Sequence, residues 1–191
     1  SHYYSSVRRA DDAVGYIMAA LEDSGEARNT LVMFLSDHGM AFPFAKTQLY
    51  HYSTWTPLIF RWPGTIKANS IDDRHMVSAI DILPTLLGVV GAQVPKGIEG
   101  RSFLPLLTGG QQANRDKVFK EYNENSGGNR APMRAVQSSR FLYLFNPWSD
   151  GKRGMESAAF NTNTYKRMVE LAKDDEKLAQ RMSLLQHRVI E

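Results

Sequence analysis

TLVMFLSDHGMAFPFAK, Thr30 to Lys46, is the stretch from which the rest of the chain is read. Leu31, Val32, Met33, Phe34 and Leu35 run without a polar interruption, the pattern of a strand covered on both faces of a parallel sheet. Asn29-Thr30 before the run and Gly39 after it leave room for a strand and too little for an ordinary helix. Polar chemistry begins where the run ends. Ser36-Asp37-His38-Gly39 sets a carboxylate beside an imidazole at the carboxyl end of the strand, where open α/β sheets keep their ligands.

The chain has 191 residues, enough to bury a core as one domain or as one domain and part of another. Hydrophobic residues make up 42%, and no apolar run approaches the length of a bilayer crossing. The net charge of +3 comes from interspersed Lys and Arg, which argues against a nucleic-acid partner and is compatible with a small polyanionic substrate. Cysteine is absent, so disulfides, thiolate metal sites and a Cys nucleophile are excluded within these residues. No secretory signal peptide is visible from Ser1 onward.

Tyr4, Val7, Ala10, Val14, Ile17, Met18 and Leu21 recur at helical spacing, and Ser24-Gly25 closes that amphipathic helix ahead of the strand. Helix followed by strand is an α/β alternation. Met40 to Thr56 is a long loop rich in aromatics, of the kind that builds sites. Pro57 to Trp62 predicts a second strand, stopped by Pro63-Gly64. Met76 to Val90 predicts a helix, with Asp81 capping a turn, Pro84 near its start and Gly91 at its end.

Past Gly91 the texture changes, and Gly109 to Asn114 marks a boundary between residues 1–110 and 111–191. Val118-Phe119 and Met133 to Phe145 predict a small antiparallel sheet with a hairpin through Ser138-Ser139-Arg140. Asn125 to Asn129 reads as a flexible loop between strands. The tail from Thr164 is helical by the spacing of Tyr165, Met168, Val169 and Ala172, then Leu178, Met182, Leu185 and Val189, and it stops at Glu191 without a cap.

A carboxylate and a neutral imidazole fixed on a strand end make half of a divalent-cation site, and the cation would lend Lewis acidity to a phosphoryl or sulfuryl oxygen. Lys46, later in the same loop, could return over the site as a point charge for an anionic group. The alternative is that Asp37 caps the next turn, His38 is a satisfied loop histidine and Lys46 is solvated. An Asp-His pair alone does not decide between them.

The order of segments resembles the C-terminal half of the sulfatase family, within the alkaline-phosphatase-like superfamily. The residues that carry the likeness are Val7 to Gly15, Asn29 to Val32 running into Ser36-Asp37-His38-Gly39, Lys46-Thr47, Pro57-Leu58-Ile59, Trp62-Pro63-Gly64, Val77-Ser78 with Asp81 to Leu87, and Gly100 to Leu107. They span about the first hundred residues. Pro132 to Gln137, with Arg140-Phe141, resembles the family's C-terminal subdomain. Phe42-Pro43-Phe44 before Lys46, paired with Met133 to Gln137, is most similar to the N-sulfoglucosamine sulfohydrolase branch.

The resemblance implies an alkaline-phosphatase-like α/β fold: a partial mixed sheet with flanking helices over residues 1–110, and a small antiparallel α+β subdomain, truncated, over 111–191. It implies a sulfuric ester hydrolase acting on a sulfated carbohydrate, such as N- or O-sulfated glucosamine. Asp37 and His38 match the second pair of metal ligands, for Ca2+ or alternatively Mn2+ or Zn2+. Lys46 matches the basic residue that holds the sulfate and its bridging oxygen, where the heparan branch has Arg. Arg134 falls in a segment that approaches the pocket mouth, or pairs locally on its strand. His51 is a further substrate-binding candidate, while His2, His75 and His187 are expected at the surface.

The family's nucleophile is a formylglycine made from a Cys/Ser-x-Pro-x-Arg motif. No proline here has Cys or Ser two residues before it, and the first metal-binding Asp pair is also missing. The expectation is an internal piece of a longer enzyme, inactive alone, with its formylglycine in the missing N-terminal half. An open sheet edge would then favour self-association. The likeness implies a periplasmic, secreted or lysosomal location. A phosphatase or phosphonate-monoester hydrolase of the same superfamily, and a noncatalytic binding domain on the same scaffold, are the other readings.

Overall fold

The computed structural model describes residues 2–125 and 127–186. The chain opens on α1 (His2–Asp23), whose end is closed as the spacing predicts: Ser24 Oγ donates to the Leu21 carbonyl at 2.7 Å. Little of its apolar stripe is covered. Tyr4, Tyr16 and Ile17 are exposed, and α1 meets the rest of the chain through Tyr3 against the Phe42 ring and through a 2.5 Å Glu22–Arg61 ion pair.

The run after α1 forms β1 (Val32–Leu35), paired antiparallel with β2 (Leu58–Arg61), Val32 opposite Arg61 and Leu35 opposite Leu58. This corrects the expectation of a parallel strand covered on both faces. Residues 36–57 hold only the single-turn α2 (His51–Thr54) and no crossover helix, so the chain returns beside β1 in the opposite sense. Phe34 and Leu35 are exposed among the described residues.

The helix expected over Met76 to Val90 is shorter. Met76 N donates to the Arg115 carbonyl at 2.7 Å in extended chain, Ala79–Asp81 makes a 3-10 turn, and only α3 (Ile82–Val89) is α-helical. The delay has a local cause. Ser78 and Asp81 form a reciprocal capping box that starts the helical backbone there and not earlier. Asp81 also accepts from Arg101 N at 2.7 Å and from Arg115 Nη1 at 2.5 Å, an ion pair buried on both sides. Gly91, at φ 68°, ends α3 in the left-handed conformation as anticipated.

After the single-turn α4 (Leu104–Leu107), β3 (Lys117–Glu124), β4 (Arg130–Ser138) and β5 (Leu142–Phe145) form an antiparallel sheet in the order β3-β4-β5. The predicted hairpin is present, closed by Ser138 N donating to the Phe141 carbonyl at 2.8 Å. On one face Met133, Ala135 and Leu144 are buried with Leu49 and Met155. Full burial of the Met and Leu side chains among them contributes about 1.5–3 kcal/mol each. The helical tail is two helices, α5 (Asn163–Leu171), capped by Thr162, and α6 (Glu176–Gln186), with Tyr165, Met182 and Leu185 buried between them. Ser126 in the predicted loop, His187, Val189 and the uncapped end at Glu191 lie outside the described residues, as does the His2 side chain.

Two residues of the β1–β2 connection, Leu49 and Phe44, reach into these two clusters, Leu49 into the sheet core and Phe44 against the α5–α6 helices. The guanidinium of Arg181 lies 4.4 Å from the Phe44 ring centroid. The long loop is thus held on both sides by the C-terminal half of the chain.

Candidate functional site

The end of β1 presents Asp37 and His38 together. His38 N donates to Asp37 Oδ1 at 2.9 Å, and His38 Nε2 lies 3.4 Å from Asp37 Oδ2. His38 Nδ1 lies 2.8 Å from the Gly39 carbonyl, which can only accept, so the ring proton sits on Nδ1. Nε2 is thereby left facing the Asp37 carboxylate. An imidazole whose other nitrogen is anchored on a backbone carbonyl is how metal-binding histidines are oriented. The pair fits a divalent ion, as two of its ligands; among the described residues no group of three or more His, Asp or Glu side chains is gathered for a metal.

Gly39 fixes what lies over this pair. A Cβ there would stand 1.8 Å from the Tyr52 carbonyl oxygen, and Gly39 N donates to the Ser53 carbonyl at 2.8 Å. Only a residue without a side chain lets α2 pass this close. The loop then coils tightly, with the Met40 carbonyl accepting from both Phe42 N at 2.8 Å and Lys46 N at 3.0 Å. Phe44 and Thr47 sit at φ 62° and 63°, left-handed values that cost non-glycine residues energy, a β-branched one most. They are held there by the Phe44 contacts described above and by Thr47 Oγ1, which lies 3.1 Å from Ser157 Oγ.

Lys46 stands between these two strained residues, half-buried, and its ammonium makes no hydrogen bond or ion pair among the described residues. Gln48, two positions on, is 2% exposed, and neither polar atom of its side chain has a partner among the described residues. Sequence reasoning missed it, since nothing in a lone loop glutamine announces an unpaired buried amide.

His51 starts α2. Its Nδ1 lies 2.7 Å from Gln137 Nε2, and its ring stacks on Trp55 at 4.8 Å and 24°. Gln137 Oε1 accepts in turn from Lys120 Nζ, which also approaches the Leu49 carbonyl at 3.4 Å. Burial holds the Lys120 ammonium pKa down at about 8. Lys120 did not stand out in the sequence, and Gln137 did so only as the end of the Met133–Gln137 likeness, because their link to His51 joins residues far apart in the chain.

Arg134 is elsewhere. Along β4 the buried Met133 and Ala135 flank it, so it projects from the opposite face of the sheet, where Nη1 donates to Asn123 Oδ1 at 3.0 Å and Nη2 lies 3.5 Å from Glu121 Oε2. Of the two placements open in the sequence, the local pairing is present. His75, expected at the surface without a partner, has a 10% exposed side chain with Nδ1 2.8 Å from Asp72 Oδ2. Its environment corrects that expectation, and the pair is remote in sequence from every other site residue.

The family model for the C-terminal part of N-sulphoglucosamine sulphohydrolase matches residues 37–153. An ulvan-active sulfatase of Formosa agariphila is 31% identical over 144 residues, covering 75% of this chain and 23% of that protein. The N-sulphoglucosamine sulphohydrolase of Homo sapiens is 32% identical over 152 residues, 75% of this chain and 30% of that protein. Among solved structures, one determined in complex with its substrate D-glucosamine-2-N,6-O-disulfate superposes with a TM-score of 0.59 at 24% identity, over 92% of this chain and 37% of that one. The chain thus spans less than a third of the length of these two curated relatives. With the residues matched running from Asp37 through the β3-β4-β5 sheet, the chain belongs to the N-sulphoglucosamine sulphohydrolase C-terminal family, the C-terminal sulfatase region of the alkaline-phosphatase-like superfamily.

Proposed function

We propose that the full-length protein is a sulfatase that hydrolyses the sulfate group of a sulfated saccharide, N- or O-sulfated glucosamine by its likeness to the human relative and to the disulfate complex. The observation that carries this is the facing of Asp37 Oδ2 and His38 Nε2 at 3.4 Å, with the Lys46 ammonium, unpaired among the described residues, later in the same tightly held loop.

In this reading Asp37 and His38 hold a divalent cation, Ca2+, or Mn2+ or Zn2+ given the imidazole ligand. When bound, it supplies Lewis acidity to a sulfuryl oxygen. Lys46 binds the sulfate and stabilises charge developing on the bridging oxygen, and the strained backbone on both sides limits where its stem can point. His51 contacts the saccharide. Arg134 pairs locally with Glu121 and Asn123, and the reading does not depend on it. With no Cys and no Ser-x-Pro, these residues do not contain the precursor of a formylglycine nucleophile, which the reading assigns to another segment of the protein. A periplasmic, secreted or lysosomal setting suits a sulfated-glycan substrate.

The test is Lys46→Ala in the full-length protein, assayed on glucosamine carrying an N- or O-sulfate. Turnover is expected to fall at least about tenfold, the scale of a lost transition-state charge contact. Unchanged kinetics would remove Lys46 from the site.

A further inference from the structure

We propose that Lys120 and Gln137 are positioning residues that fix His51 as an Nε2–H donor toward an oxygen of the substrate saccharide. The direction of each bond follows from donor and acceptor chemistry. Lys120 Nζ only donates, so the Gln137 side-chain oxygen must face it. The amide nitrogen then faces His51 Nδ1 at 2.7 Å and donates to it. Nδ1 is therefore an acceptor, and in the neutral ring the proton resides on Nε2. This is the opposite tautomer to that of His38, whose Nδ1 donates to the Gly39 carbonyl.

The surroundings hold the arrangement in place. Lys120 and Gln137 lie on the same face of adjacent strands, Lys120 opposite Ala135 and Gln137 two residues on. Trp55 stacks on the ring and sets its plane. Through Tyr52 and Ser53, which meet Gly39, the α2 turn that carries His51 is tied to the end of β1. A donor on a fixed ring suits a hydroxyl or sulfate oxygen, whereas the other tautomer would present a lone pair that repels a sulfate oxygen and can only accept from a hydroxyl. The substrate side of this inference rests on the sulfatase reading; the tautomer does not.

The experiment uses the full-length protein with 15N-labelled histidine at pH 7, below the pKa of about 8 at which Lys120 would lose its proton. A two-bond 1H–15N correlation spectrum reads the tautomer, and His51→Gln assigns the signal. The expected result is a pyrrole-like Nε2 and a pyridine-like Nδ1. In Gln137→Glu a carboxylate accepts from the ring, and the proton is expected to move to Nδ1. Lys120→Met frees the amide to rotate and is expected to give a mixture of tautomers. On a sulfated saccharide, Gln137→Glu is expected to raise KM about tenfold, about one hydrogen bond's worth, with a smaller change in kcat.

An Nδ1–H tautomer in the unmodified protein overturns the inference. So does an unchanged nitrogen signature and KM in a folded Gln137→Glu, the outcome expected of a residue that only packs. If Gln137→Glu does not fold, the unmodified spectrum and Lys120→Met decide the matter. If the protein hydrolyses no sulfate ester, the sulfatase reading fails and the donation to a saccharide with it, while the nitrogen shifts still decide whether the relay exists.

Discussion

Gly39→Ala is the substitution that should separate the two walls of the candidate site with the least chemical change. A Cβ at this position would sit 1.8 Å from the Tyr52 carbonyl oxygen and 2.9 Å from its carbon, and ordinary contact starts at 3.4 Å. The β1 end and α2 must therefore part by about 1.6 Å, and both obstructing atoms are backbone, so no side-chain rotation relieves the clash. The 2.8 Å bond from Gly39 N to the Ser53 carbonyl is strained or lost in the process. Overpacking of this kind costs about 1–3 kcal/mol. A displacement of about 1 Å at a reacting centre is enough to reduce rate roughly a hundredfold. The assay is a thermal melt of the full-length protein alongside kcat/KM on a sulfated saccharide, scaled to the folded fraction. A variant with unchanged melting and a rate within about twofold would refute the view that the Gly39 approach sets the site's geometry.

Two further perturbations test the scaffold. Asp81→Ala leaves the Arg115 guanidinium buried without its partner and should cost about 3–5 kcal/mol in denaturant unfolding, whereas the paired change Asp81→Leu with Arg115→Met should cost less; a single-variant loss below about 1 kcal/mol would contradict this. Lys120, held at about 8 by burial, releases its proton in the folded state before the unfolded state does at its ordinary 10.5. Between those values the unfolded chain binds more protons, so the Lys120 contribution to stability rises with pH from about 8 to 10.5. Measured over that window, Lys120→Met should lack the rise, and parallel curves for the two proteins would rule it out.

Much of this was legible in local pattern. The β1 apolar run, the Ser24-Gly25 stop, the β4–β5 hairpin and the Asp37–His38 pair all depend on neighbours within a few residues, and all are present. What the pattern could not carry was direction and partnership. An unbroken apolar run reports that a strand prefers burial, not which way its neighbour runs, and β1 pairs antiparallel. Helical periodicity extends back to Met76, whereas the capping box that starts the helical backbone sits at Ser78 and Asp81. Arg134 carries a family likeness, yet strand alternation beside the buried Met133 and Ala135 turns it to the other face. The Lys120–Gln137–His51 link joins three elements across the fold, and no local spacing encodes it.

The most direct test of the whole account is the divalent-metal content of the purified full-length protein and its Asp37→Ala variant, measured by mass spectrometry after dialysis and read beside sulfate release. Losing the carboxylate should remove the bound ion and abolish turnover together. An Asp37→Ala protein that keeps its metal and its rate would show that the strand-end pair holds no cation.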